Sequence, residues 1–398
     1  MRNISFSLAM IAILVLPTAV RAQDSLNGEL EPIRTQYGLP ALGAAVVKDG
    51  KIIASGAVGE RVYGMDIPVT LGDRFHIGSD TKAMTATLAG MMIEQGKLRW
   101  DSTIGEVLGP VLPGLMPKFS AIKLEQLLSH TSGIPTDNDE IMKLYFSPDA
   151  YDYTLPDYRL RMISAWGTKH EPIVSEHPQF HYSNLGYIIV GAMIERLSGE
   201  PWERLIMTRI FEPLGLKSAG LGPQATFGKY DAPVGHAVDD KGNISPRPWG
   251  PSADGPAPVG PAGIVHMNVD DFATWAGWNA AEGKRGLALV KPETLKRLHQ
   301  PYITMDIPNP KPGTPKSGSY GFGWGLSQFA WSDKPLLTHN GSNGMNLASI
   351  LVDVDNDLGI VVMMNFPGDK ADAAALETMK QLYERYVKDG KSQPSAAK

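Results

Sequence analysis

The chain has 398 residues, 43% of them apolar and 20% charged, with a formal net charge of -5 and no cysteine. That length accommodates two lobes around a shared core. The small negative charge gives nucleic acid or an anionic membrane no electrostatic handle, and the absence of cysteine excludes disulfides, thiol nucleophiles and cysteine-ligated zinc.

Met1-Arg2-Asn3 is a short basic start, Leu8 to Val15 an apolar run, and Val20-Arg21-Ala22 a small-residue cleavage site. Together they predict a signal peptide over residues 1–22 and a mature chain that starts near Gln23 in the periplasm or outside the cell. The apolar run is too short to span a bilayer, so no stable membrane insertion is expected after cleavage.

Leu42 to Val47 and Lys51 to Ala57 flank Asp49-Gly50, a hairpin signature. A helix is predicted over Ser79 to Glu94, apolar on nearly all faces and closed by Gly96. Leu124 to Ser129 reads as a short helix, and Leu185 to Leu197 as a longer one with Asn184 available as its cap. Residues 232–263 are rich in Pro and Gly without a period and read as a long ordered loop. Asn268 to Trp278 is a further capped helix. Strands are then predicted at Ser319 to Leu326, Leu336 to His339, Asn346 to Val352 and Gly359 to Asn365, with a turn at Asp353 to Asp357. Ala373 to Val387 closes the chain as an amphipathic helix with Asp372 as its cap, ahead of a polar tail at 393–398.

Strands at both chain ends and helices between them predict a two-lobed α+β fold. An antiparallel sheet flanked by helices is built from 23–78 and 317–392, and 79–316 forms a mainly helical lobe. The site is expected between the lobes.

Three short segments carry chemistry. Ser79-Asp80-Thr81-Lys82 sets a hydroxyl and an amine on one helical face. Ser79 stands in the first turn, where backbone N–H groups are free and negative charge is favoured. Lys82 lies on an otherwise apolar helix, where burial disfavours the ammonium and makes the amine a general base. The same spacing occurs at Ser120 to Lys123 and Ser395 to Lys398, but only Ser79 follows a Gly turn and opens a buried helix. Tyr182-Ser183-Asn184 offers a phenol to relay a proton and an amide to bind lysine and substrate. His339-Asn340-Gly341 follows a strand; there His339 can bind or orient substrate, Gly341 permits close approach of substrate to the backbone, and the Ser342 N–H is a second oxyanion donor.

With Arg74-Phe75-His76-Ile77-Gly78-Ser79, Leu127-Leu128-Ser129-His130-Thr131-Ser132-Gly133, Tyr182-Ser183-Asn184-Leu185-Gly186-Tyr187 and Tyr320-Gly321-Phe322-Gly323-Trp324, these segments resemble the serine β-lactamase and penicillin-binding protein family, in the branch of class C β-lactamases, DD-peptidases and related esterases. The resemblance implies an acyl-enzyme at Ser79, proton transfer by Lys82 and Tyr182, substrate binding by Asn184, His339, Asn340 and Gly341, and an oxyanion hole from the Ser79 and Ser342 N–H groups. β-Lactamases of this kind usually carry Lys-Thr-Gly where this chain has His339-Asn340-Gly341. Histidine is only partly charged near neutrality, so slow β-lactam hydrolysis is expected.

The expected function is therefore an exported serine hydrolase acting on a D-amino-acid peptide, β-lactam or small ester. The alternative is a non-catalytic protein that senses cell-wall peptides or penicillin through the same cleft. No cofactor is expected. No metal is expected either: Pro178 interrupts the His177/His181 pair, and the Asp353 to Asp357 run lacks the Gly and Glu of a calcium loop.

Overall fold

The computed structural model describes residues 23–173, 178–307, 310 and 313–389. The predicted signal peptide, the polar tail with Ser395 and Lys398, and His177 lie outside the described residues.

One nine-stranded sheet is built from both chain ends. Its strands are β1 (Asp24–Ser25), β2 (Ala41–Lys48), β3 (Lys51–Gly59), β4 (Ile303–Asp306), β5 (Ser317–Tyr320), β6 (Gly325–Ser327), β7 (Leu336–Ser342), β8 (Leu347–Asp353) and β9 (Leu358–Met364). Their spatial order is β1-β3-β2-β9-β8-β7-β6-β5-β4, antiparallel throughout except β1 on β3. The β2–β3 hairpin turns at Asp49 and Gly50, both at positive φ (51° and 72°), which is why Asp-Gly stands there. β9 and β2 join the two ends of the chain edge to edge.

The central strands are buried on both faces, so they read as continuous apolar runs. In β9, Leu358, Ile360, Val362 and Met364 pack toward α1 (Asn27–Tyr37) and the C-terminal helix, Asp369–Tyr383. Val361 and Met363, between them, face the larger core on the other side. That larger core continues into a layer of helices: α2 (Thr81–Glu94), α3 (Leu124–Leu128), α4 (Asn184–Ser198) and α5 (Val269–Ala280), with the C-terminal helix as α6. In α4 every residue from Leu185 to Glu195 is buried.

Several sequence expectations are corrected. Ser319 to Leu326 is not one strand but two, β5 and β6, because Gly323 at φ 81° turns the chain between them. β4 and α5 come from the stretch assigned to the helical lobe, yet β4 extends the sheet and α5 packs on β2 and β9. Residues 232–263 contain the hairpin Gly235–Val238 and Ile244–Arg247 and the helical turn Gly260–Gly263. α6 begins at Asp369 with Gly368 before it, so Asp372 lies inside the helix and does not cap it. Ser120 closes the short helix Pro117–Ser120 and Lys123 precedes α3, so these two share no helical face.

Candidate active site

A 3₁₀ turn, Gly78–Asp80, carries Ser79 and runs directly into α2. Gly78 sits at φ 49°, and a Cβ built on it falls 2.4 Å from Ser342 N. A Cβ on Gly341 falls 1.8 Å from the Ile77 carbonyl oxygen and 2.8 Å from Ser79 N. These two glycines let β7 lie flush against the turn, with Ser342 N close to Gly78 and Ser79 N close to Gly341. The contact with Ile77 by itself requires glycine at 341. Gly341→Ala is expected to lower stability by about 3 kcal/mol or more, because strand and turn must part. Gly28→Ala, in open space on α1, leaves it unchanged or slightly higher. Thermal unfolding of the two variants checks this.

Lys82 is fully buried. Its Nζ lies 2.9 Å from Ser79 Oγ, 2.7 Å from Asn184 Oδ1 and 2.7 Å from the Ala262 carbonyl oxygen. Asn184 Nδ2 donates to Asp137 Oδ2 at 2.6 Å, which turns Oδ1 toward the lysine. A neutral amine has two N–H donors and one lone pair. Asn184 and Ala262 take the two donors, so the lone pair faces the Ser79 hydroxyl. Burial pulls the Lys82 pKa down to about 7, opposed by the charges of Asp137 and Asp80.

Asn184 is free for this contact because it does not cap α4. Ser183 does, accepting the Gly186 N–H. Tyr182 presents its hydroxyl to Ser79, and burial, partly offset by that hydrogen bond, pushes the phenol well above its ordinary value. It therefore stays protonated near neutrality and is a proton donor, not a phenolate. The structure thus brings Ser79, Lys82, Tyr182, Asn184, Gly341 and the Ser342 N–H together.

The other two predicted residues lie differently. His339 is buried beneath the site, with Nε2 3.0 Å from the Tyr320 hydroxyl and Nδ1 3.0 Å from the Asn340 carbonyl oxygen. Burial first, and the Lys82 charge second, pull its pKa down to about 3. Asn340 follows the two-residue period of β7, exposed on the face opposite His339, and lines a cavity with Thr338, Phe329 and Leu376. It is not part of the Ser79 cluster.

Residues without a predicted role complete the site. His130, at φ 59°, accepts the Ser183 N–H at Nδ1 (3.1 Å) and the His181 N–H at its carbonyl (2.7 Å). Its ring lies 4.3 Å from that of Tyr182, centroid to centroid, and so fixes the tyrosine. The Ala262 carbonyl is held by a buried cluster. Arg159 pairs with Glu195 and Glu203 and donates to the Pro258 carbonyl, and Thr85 on α2 donates to the Pro261 carbonyl at 2.7 Å. His76 Nδ1 accepts the Gly78 N–H at 3.0 Å, and its Nε2 lies 2.9 Å from Asp254, which also accepts from Asn343 Nδ2. That brace ties the residue before Ser79 to the residue after Ser342. His130 and His76 stand in segments the sequence singles out; a backbone carbonyl such as that of Ala262 leaves no sequence signal. Among the described residues no group of three or more His, Asp or Glu is placed to hold a metal, and no helix is long and apolar enough to cross a membrane.

This arrangement has relatives. Penicillin-binding protein 4 of Amycolatopsis lactamdurans is 26% identical over 327 residues, covering 79% of this chain and 77% of that protein. Several further relatives are longer, and this chain spans 63% of their length. The octameric penicillin-binding protein homologue from Pyrococcus abyssi superposes with a TM-score of 0.73 at 24% identity, over 89% of this chain and 77% of that one. The D-amino acid amidase from Ochrobactrum anthropi SV3 does so with a TM-score of 0.69 at 19% identity, over 91% of this chain and 98% of that one. The family model described as Beta-lactamase matches residues 26–384, which takes in every element that positions Ser79. The chain belongs to the beta-lactamase family.

Proposed function

We propose that the protein is an exported serine hydrolase that cleaves amides or esters through an acyl-enzyme at Ser79. The observation that carries this reading is the Lys82 amine, buried, with two fixed acceptors and the Ser79 hydroxyl 2.9 Å away. Export rests on the leader-like residues 1–22 alone.

Ser79 Oγ attacks the substrate carbonyl as its proton passes to Lys82. The oxyanion forms between the N–H groups of Ser79 and Ser342. Collapse breaks the bond to the amine or alcohol, which leaves with a proton from Tyr182; the Lys82 ammonium reprotonates Tyr182. Water then attacks the ester at Ser79 by the same route in reverse, releasing a carboxylic acid and free enzyme. From His339 to Ser342 the site-facing edge of β7 has no strand partner among the described residues, because β6 pairs only through Thr338. An extended substrate can add to that edge by main-chain hydrogen bonds.

Relatives named as penicillin-binding protein and D-amino acid amidase support D-amino-acid amides and short D-peptides as the first substrates to try. The test is a panel of D-amino-acid amides, D-Ala-D-Ala peptides, p-nitrophenyl esters and nitrocefin. Turnover of an amide or ester that is faster than nitrocefin hydrolysis and lost in Ser79→Ala supports the reading. A stable adduct with no turnover of any member would make the protein a binder instead.

A further inference from the structure

Asp137 stands past the Gly133 turn, outside every motif that marks the site. Asn138 beside it caps the short helix Asp139–Tyr145, accepting the Glu140 and Ile141 N–H groups. That helix brings Tyr145 back over Asp137, and the Tyr145 hydroxyl donates to Asp137 Oδ1 at 2.9 Å. The other carboxyl oxygen, Oδ2, accepts Asn184 Nδ2 at 2.6 Å. A primary amide keeps nearly the same shape when its oxygen and nitrogen change places, so its hydrogen-bond partners decide its orientation. Asp137 accepts at both oxygens; it takes the Nδ2 end and leaves Oδ1 for Lys82 Nζ at 2.7 Å. Turned round, the amide would set Oδ1 against a carboxylate and donate Nδ2 to the Lys82 lone pair, the pair that must take the Ser79 proton. The charge of Asp137 acts at the same place. Facing Lys82 besides Asp137 are Asp80 on its own turn, His130 after α3, Tyr182, Tyr187 on α4 and His339 on β7. Burial drives each of these toward its uncharged form. Asp137 is only partly buried, and its charge is the largest influence that opposes the loss of the Lys82 proton.

We propose that Asp137 is the positioning residue of the general base: it latches the Asn184 amide so that the Lys82 lone pair stays on Ser79, and its negative charge sets the pH at which that lone pair becomes free. It acts through Asn184 and through its field, not on the substrate. The proposal rests on the reading of Lys82 as the base and adds a residue to that machinery.

The test follows the rate of fluorophosphonate labelling at Ser79 against pH. Asp137→Asn removes the charge and leaves an amide that both donates and accepts, so either orientation of Asn184 is satisfied. Its rate is expected to rise about one pH unit lower than that of wild type, because no carboxylate now favours the ammonium. Its plateau is expected to fall about threefold or more, because the base works only in molecules whose Asn184 keeps the wild-type orientation. Exchanging the two side chains, Asp137→Asn with Asn184→Asp, puts the carboxylate against Lys82 and the amide behind it. A carboxylate presents an oxygen whichever way it turns. The exchange is therefore expected to restore the plateau to within about twofold of wild type and to move the rise above the wild-type pH. NMR of protein carrying isotope-labelled lysine side chains, with the Lys82 signal assigned by its loss in Lys82→Met, titrates the amine without any reaction at Ser79. If Ser79 is never labelled while the Lys82 midpoint moves in this order, the hydrolase reading falls and the proposal stands on the titration. A Lys82 midpoint unchanged in Asp137→Asn, or a plateau that the exchange leaves at the level of the single variant, would overturn it. A merely structural Asp137 would lower the melting temperature and move neither.

Discussion

Ser79→Ala is expected to lower kcat/KM by on the order of 10⁴- to 10⁶-fold with no loss of fold. Ser79 is half-buried at the head of α2 and contributes no apolar surface to the core. Its hydroxyl touches Lys82 and Tyr182, and both keep other partners when it is gone. Lys82 retains Asn184 and Ala262; the Tyr182 ring remains against His130. Circular dichroism and thermal melting of the variant should therefore overlay those of wild type. Retained turnover would mean that some other group attacks the substrate.

The second large effect concerns Lys82. With a pKa near 7, the amine is charged below that pH and has no lone pair to accept the Ser79 proton. kcat/KM is expected to rise with pH through about 7 and then to level off. An alkaline fall from Tyr182 is displaced above the ordinary tyrosine range, because burial holds that phenol protonated. Lys82→Arg fills similar space with a group that stays charged at every accessible pH, so activity is expected to fall to the Ser79→Ala level with no recovery in alkali. The same shift tilts stability. Between about pH 7 and lysine's ordinary 10.5, the unfolded chain keeps a proton that the folded protein has released, so this group's contribution to stability rises with pH. Lys82→Met removes that slope, which urea melts across the interval would show. An acid limb that persists unchanged in Lys82→Arg would assign the titration to another group.

Much of this site was legible because it rests on local geometry. Ser79 and Lys82 share a face in any helix that contains both, and the all-apolar surroundings of Lys82 announce its burial. The joining of the chain ends followed from where strands and helices fall in the sequence. Other features depend on contacts distant in sequence. Asn184 could cap α4 or bind lysine; Ser183, one residue earlier, takes the cap and decides it. Ala262 acts through a carbonyl, which every residue has, so nothing in the Pro- and Gly-rich stretch marked it. Its neighbouring hairpin was missed because Pro246 and short strands leave no clear alternation. Gly321 to Trp324 read as strand because aromatics alternate there with glycine, the pattern of a half-buried strand, although Gly323 turns the chain. The burial of His339 was available from β7 itself. Leu337, His339 and Gly341 share one face by the two-residue period, and Leu337 belongs to the core. Asp80 stood in the sequence between two motif residues, and only the fold places it against His339.

The most direct test of the account is peptide mapping by mass spectrometry after brief treatment of the intact protein with a fluorophosphonate at pH 8. One phosphonyl group is expected, on the peptide that contains Ser79, and none on Ser79→Ala. An unlabelled wild-type protein, or a label on any other residue, would contradict the claim that a buried neutral lysine makes Ser79 a nucleophile.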